Sequence, residues 1–244
     1  MDKSHIITTE EQAKLKVNYT QSYTDRIITT PKIMDIACEM QLDAIGDFVP
    51  LKFRVDLNEF RKEIKQYDNV WIPYLHREGL INDRQGLNLV GLPGDTPTDS
   101  LSMPEAMKRT GRKLSELDFD TPTQLYKDLS SLQHIIDYFP KLGRCSLVKL
   151  NTGAWFPKHR DGILLQRTTF RIVVFLTNTN HTAYEWEHDH RIRQIDEGRA
   201  YYVDTRKVHR THSYTHDSIH LVMNIPKTYE NVLRILDVLD AGES

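Results

Sequence analysis

The chain has 244 residues, 39% hydrophobic and 27% charged, enough apolar material for one substantial core. With 32 Lys and Arg against 34 Asp and Glu the formal net charge is −2, so no global charge directs the protein to nucleic acid or to a membrane surface. No apolar run approaches the length of a membrane span, the first residues carry no signal-peptide core, and Cys38 and Cys145 match no zinc spacing, so two buried free thiols and a reducing, cytoplasmic setting are expected.

The polar N-terminal stretch reads as a loosely attached arm. A helix is expected from Thr30-Pro31, with Thr30 as cap and Ile33, Ile36, Ala37 and Met40 as its apolar face. A short helix over 57–67 and strands over 69–74 and 86–92 follow. Residues 93–120 read as a long irregular connection with one helical turn at 105–109, a kind of segment that often carries function. The Gly91-Leu92-Pro93-Gly94-Asp95 turn lacks the Lys-Ser/Thr of a phosphate loop. A second helix is expected from Asp120-Thr121-Pro122 to Tyr138, presenting Leu125, Leu129, Leu132, Ile135 and Ile136. From Arg144 the pattern changes to short β runs at 144–151, 168–177, 199–204 and 218–225, with further candidates near 183–187 and 191–195. Pro226 ends the last run, and a helix over 229–239 closes the chain. The expected fold class is α+β: a double-stranded β-helix (jelly roll) core over 141–244 and a helical, irregular extension over 1–140, in one compact unit.

The sharpest local feature is Pro157-Lys158-His159-Arg160-Asp161. In an extended chain, side chains two apart share a face, so His159 and Asp161 can reach one metal ion. Imidazole plus carboxylate suits ferrous iron, and one more histidine completes a facial triad with three open positions for a bidentate cosubstrate and dioxygen. An HxD pair alone also fits a solvated turn. Downstream, Gly198-Arg199-Ala200-Tyr201-Tyr202-Val203-Asp204, then His209, then Ile219-His220-Leu221-Val222 supply a Gly turn, a strand, a presented histidine and a further strand.

With Phe170-Arg171-Ile172-Val173-Val174-Phe175-Leu176-Thr177-Asn178, this ordered set over 147–225 resembles the aspartyl/asparaginyl β-hydroxylase and proline hydroxylase-like branch of the Fe(II)/2-oxoglutarate-dependent oxygenases. The resemblance implies His159, Asp161 and His209 as iron ligands, 2-oxoglutarate as cosubstrate, and hydroxylation of a free amino acid, a peptidyl side chain or another small metabolite. It implies that the N-terminal part recognises the substrate. His212 is the rival third ligand, three residues on and so expected to face away. Asp161 argues against halogenation, since related halogenases need a small residue there. The family's usual arginine before the final strand falls near Ser218, which cannot grip a carboxylate in two places. Arg171 is therefore the expected anchor for the distal carboxylate, with Ser218 and His220 assisting and Arg206 and Arg210 next in line. A non-catalytic jelly-roll metal- or ligand-binding module is the alternative reading. Glu185, Glu187, His188, Asp189 and His190 read as a solvated hairpin tip rather than a second metal cluster. Trp71, Tyr74, Arg77 and Trp155 fit a pocket wall or the core.

Overall fold

The computed structural model describes residues 33–73, 83–162 and 168–240. Helix α1 (Ile33–Ile45) buries Cys38 and Leu42, whereas Ile36 and Met40 of the expected face are exposed. Thr30 and Pro31 lie outside the described residues. Strand β1 (Phe48–Arg54) was not expected, because Pro50 interrupts its apolar run; as an edge strand it tolerates the missing N–H. Helix α2 (Leu57–Ile64) starts where Asp56 accepts the Asn58 and Glu59 backbone N–H groups, and a 3₁₀ turn to Tyr67 completes the expected segment.

Strands β2 (Ile72–Pro73) and β3 (Arg84–Gly91) follow. The 93–120 connection is more ordered than expected. Helix α3 (Met103–Thr110) is capped by Ser102 and ended by Gly111 at φ +65°, and Leu92, Ala106, Leu114 and Phe119 form a small core under it. The single helix expected over 120–138 is three elements: β4 (Thr121–Pro122), α4 (Gln124–Asp128) and α5 (Ser130–Ile136). Thr123 is drawn onto β3 through bonds to the Leu89 and Asn88 carbonyls. Leu129 at φ −106°, ψ 69° then breaks the helix while keeping its side chain buried.

The remaining strands are β5 (Cys145–Leu150), β6 (Trp155–His159), β7 (Thr169–Thr177), β8 (Tyr184–His188), β9 (Arg191–Arg193), β10 (Arg199–Val203), β11 (His209–Ser213) and β12 (Ser218–Pro226), before helix α6 (Tyr229–Asp237). Their antiparallel partners nest: β5 with β12, β6 with β11, β7 with β10, β8 with β9. This is one long hairpin, and the further pairs β7·β12 and β8·β11 roll it into two sheets. That connectivity is a jelly roll. The first half is not only helical and irregular. β1 extends the larger sheet at one edge and β3 and β2 at the other, so this sheet runs across the 140/141 boundary.

Alternation along β7 and β12 separates two cores. Phe170, Ile172, Val174 and Leu176, with Ile219, Leu221, Met223 and Ile225, face the cluster shared with α1, α2, α5 and α6. Val173 and Phe175 face inward to Tyr184, Trp186 and Tyr201 of the roll interior. Among the described residues no helix is long and apolar enough to cross a membrane.

Candidate metal centre

β6 and β11 place His159 directly opposite His209. Between that pair and the next, Thr211 opposite Phe156, two steps along β11 match three along β6. The extra residue falls at Pro157-Lys158, on an edge strand, where a proline and a bulge are both tolerated. The Pro157 carbonyl accepts from His159 Nδ1 at 2.8 Å, and the Lys207 carbonyl from His209 Nδ1 at 3.1 Å. A carbonyl only accepts, so each Nδ1 carries the proton and each Nε2 keeps its lone pair. Asp161 lies just past the end of β6, its N–H on the Thr205 carbonyl. Its Oδ1 still stands 3.6 Å from His159 Nε2. One ligand atom from each of His159, Asp161 and His209 falls within 4.8 Å of the others. His212 is opposite Trp155, its ring 4.7 Å from that of Tyr214, and takes no part in the cluster.

Burial is the largest influence on the Asp161 carboxyl and acts to raise it, but the Arg171 guanidinium at 2.6 Å, His159, His209 and Thr205 together outweigh it and hold the group well below the usual carboxylate range. Burial, then the neighbouring His159, pushes His209 down to about 4. At neutral pH the centre therefore offers a carboxylate and a neutral imidazole, the forms that bind a metal.

Arg171 is not placed as the sequence suggested. Its Nη1 holds Asp161 Oδ2, while Nε and Nη2 both donate to Oδ1 of Asn224, its partner in register on β12. Asn224 Nδ2 donates to Glu116 at 2.9 Å, and Arg144 donates to Glu116 at 3.0 Å. A chain of bonds thus runs from Asp161 to the 102–118 segment. Gly143 lies against it: a Cβ there would meet the Asn224 and Glu116 carbonyl oxygens at 2.7 and 3.0 Å. Gly143→Ala is expected to cost about 1–3 kcal/mol, read from the urea midpoint.

The three candidate ligands line a cavity of about 630 Å³, together with Arg171, Arg84, Phe156, Trp186, Thr211, His220 and, from the 102–118 segment, Ser102, Leu114 and Glu116. His220 is buried against Phe175 and Tyr184 and pushed down to about 3, first by burial and then by Arg84 and Arg171. Ser218 shares the inward face of β12 but does not line the cavity; its hydroxyl is held by Ser213 and the Asn178 carbonyl. Arg206 is paired with Asp204, Asp43 and Glu39, and Arg210 with Glu185 and Glu187, both away from the cavity.

The expected solvated tip is one only at Asp189 and His190, both at positive φ in the β8–β9 turn. Glu187 is buried in a pair with Lys158, and His188 is fully buried with Nε2 on the Asp204 carbonyl. Trp155 is exposed, and Trp71 is core under Lys149. Tyr74 and Arg77 lie outside the described residues. Sequence reasoning missed Arg84 and Phe156. Both sit beside features that were noticed: Arg84 lies two residues before the strand expected from Gly86, and Phe156 directly follows Trp155.

No family model matches the chain, and no curated protein matches it by sequence. Among solved structures, a prolyl-4-hydroxylase from Pseudomonas putida superposes with a TM-score of 0.46 at 12% identity, covering 78% of this chain and 99% of that one. An RmlC-like cupin from Shewanella frigidimarina gives 0.26 at 10% identity over 34% of this chain and 72% of its own. Salicylate 1,2-dioxygenase from Pseudoaminobacter salicylatoxidans gives 0.26 at 10% identity over 41% of this chain and 26% of its own.

Proposed function

We propose that this chain is an Fe(II)- and 2-oxoglutarate-dependent dioxygenase that hydroxylates an unactivated carbon of an amino acid, a peptidyl side chain or another small metabolite. The observation that carries the reading is the convergence of His159, Asp161 and His209 within 4.8 Å on the wall of the large cavity. The donor set fits ferrous iron: two imidazoles and one carboxylate, with both Nδ1 atoms tied to backbone carbonyls so that each Nε2 lone pair would be the one to hold the ion. Bound iron and 2-oxoglutarate would supply dioxygen activation coupled to oxidative decarboxylation, giving succinate beside the hydroxylated product.

The protein's own share is geometry and exclusion of water. Arg171 occupies Asp161 Oδ2, which leaves Oδ1 on the His159 side as the single carboxylate ligand. Phe156 and Trp186 flank the two histidine rings, at 4.1 Å from His159 and 5.7 Å from His209, and fix the imidazoles in place. The 102–118 segment, at the same cavity, is where the prime substrate would be selected. Asp161 fills the place a halide would need, so added chloride should leave the wild-type rate unchanged, and Asp161→Gly should lose hydroxylation.

The deciding experiment loads the protein with Fe(II) without oxygen, adds 2-oxoglutarate and then air, and follows succinate. Turnover is expected, faster with an untargeted cell extract as source of substrate. Tight metal binding with no consumption of 2-oxoglutarate would instead describe a non-catalytic binding module.

A further inference from the structure

We propose that Glu116 is a positioning residue of the metal centre: acting through Asn224 and Arg171, it turns the Asp161 carboxylate so that one oxygen alone is offered to the ion; this rests on the reading of His159, Asp161 and His209 as the metal ligands.

The four side chains form one line along the cavity wall. Asp161 lies beyond the last residue of β6, so the strand ladder does not set the direction of its side chain. Its Oδ2 faces Arg171 Nη1 at 2.6 Å, and its Oδ1 stands on the side of His159. Asn224 holds the guanidinium in that plane, its Oδ1 accepting from Nε at 3.1 Å and from Nη2 at 2.9 Å. Two bonds on one side of a planar fork fix its rotation as well as its place. The amide is neutral, so it orients Arg171 and leaves the positive charge for Asp161.

Glu116 decides which way that amide faces. An Asn side chain has an accepting end and a donating end of nearly equal size. Arg171 only donates and therefore needs the oxygen, and the nitrogen then needs an acceptor on the opposite side. Glu116 Oε2 is that acceptor, at 2.9 Å. With an apolar group in its place the preference between the two orientations weakens, and the turned amide sets its N–H groups against the guanidinium. Charge alternates along the line from Asp161 to Arg171, Glu116 and Arg144, with the amide as neutral spacer. Asn224 and Glu116 are buried, where such bonds are strong and a reversed one is costly.

Both supports are built rigidly. The Asn224 carbonyl accepts from the Gly143 N–H, and its own N–H donates to the Arg144 carbonyl. Glu116 opens a 3₁₀ turn closed by Ser115 and Asp118, and Arg144 grips its other oxygen at 3.0 Å. A substitution at Glu116 thus reaches the Asp161 carboxylate through Asn224 and Arg171. With the line cut, the guanidinium loosens and Oδ2 can turn to the ion as a second donor. A chelating carboxylate takes one of the three positions that a two-histidine, one-carboxylate set leaves open.

The test counts water molecules on the ion. Full-length protein is loaded with Mn(II), without cosubstrate, and the longitudinal relaxation of solvent protons is measured per bound ion. Glu116→Ala and Asn224→Leu should each still bind Mn(II) but lose about a third of the wild-type relaxation enhancement, as one open position fills. Glu116→Gln, which keeps an oxygen for the Asn224 amide, should recover most of it. Unchanged relaxation in Glu116→Ala and Asn224→Leu, with only a lower urea midpoint, would make Glu116 a support of the 102–118 segment alone and overturn the proposal while leaving the ligand set standing. Wild type that binds no Mn(II) would overturn the ligand set and the proposal together. If Glu116→Ala does not fold because Arg144 has lost its carboxylate, Glu116→Leu combined with Arg144→Met removes the buried pair together, cuts the same line and decides by the same measurement.

Discussion

His159→Ala, Asp161→Ala and His209→Ala should each lower Fe(II) affinity by more than about a hundredfold and abolish succinate formation, while His212→Ala does neither. Each of the three would supply a ligand atom to a cluster already gathered in the protein, so removal would leave two of its donors. His212 sits three residues from His209 on the same strand and packs on Tyr214. Titration of the four variants with Fe(II) under anaerobic conditions checks the set. Loss of binding in His212→Ala alone would move the centre to the other face of β11.

Arg171→Leu should destabilise the metal-free protein by about 3–5 kcal/mol, because it removes the guanidinium that faces the buried Asp161 carboxylate. A bound divalent cation supplies the missing positive charge, so Mn(II) is expected to raise the Tm of this variant by more than it raises that of wild type. The dependence on pH has a definite direction. In wild type the folded Asp161 carboxyl lies below its unfolded value, so the stability from its pairing is fully present above the ordinary carboxylate range and fades as pH falls. In the variant the strongest of the influences that lower the carboxyl is gone, so less of this stability is present to be lost as pH falls. The stability gap should therefore narrow below about pH 4. Chemical denaturation at neutral and acidic pH, with and without Mn(II), reads both effects; a gap independent of pH and metal would remove Asp161 from the explanation.

Much of the jelly roll was legible because its strands alternate or run apolar, and because turn residues punctuate them from Arg144 onward. The HxD pair and the distal histidine were legible because a cross-strand metal site needs few residues at fixed offsets. What escaped was tertiary in origin. β1 is hidden by Pro50, which only an edge position excuses. The break at Leu129 trades local helix for two well-buried leucine turns, a choice made by packing. The role of Arg171 could not be read from its place on a strand, since Asn224, which holds it in register, lies 53 residues away.

The two histidines that face each other across β6 and β11 have a bearing on how the protein is assembled. β6 is an edge strand, half exposed along its length and laddered on one side only. An ion bridging His159 and His209 would rivet that strand to its neighbour, adding a crosslink where backbone pairing is thinnest and interrupted by the bulge at Pro157. Metal occupancy and closure of the smaller sheet then become one linked equilibrium. Chelation should first speed amide exchange in β6, well before the larger sheet responds. Conversely, a substitution on the outer side of β6, such as at Trp155, would act at a distance as a change in iron affinity.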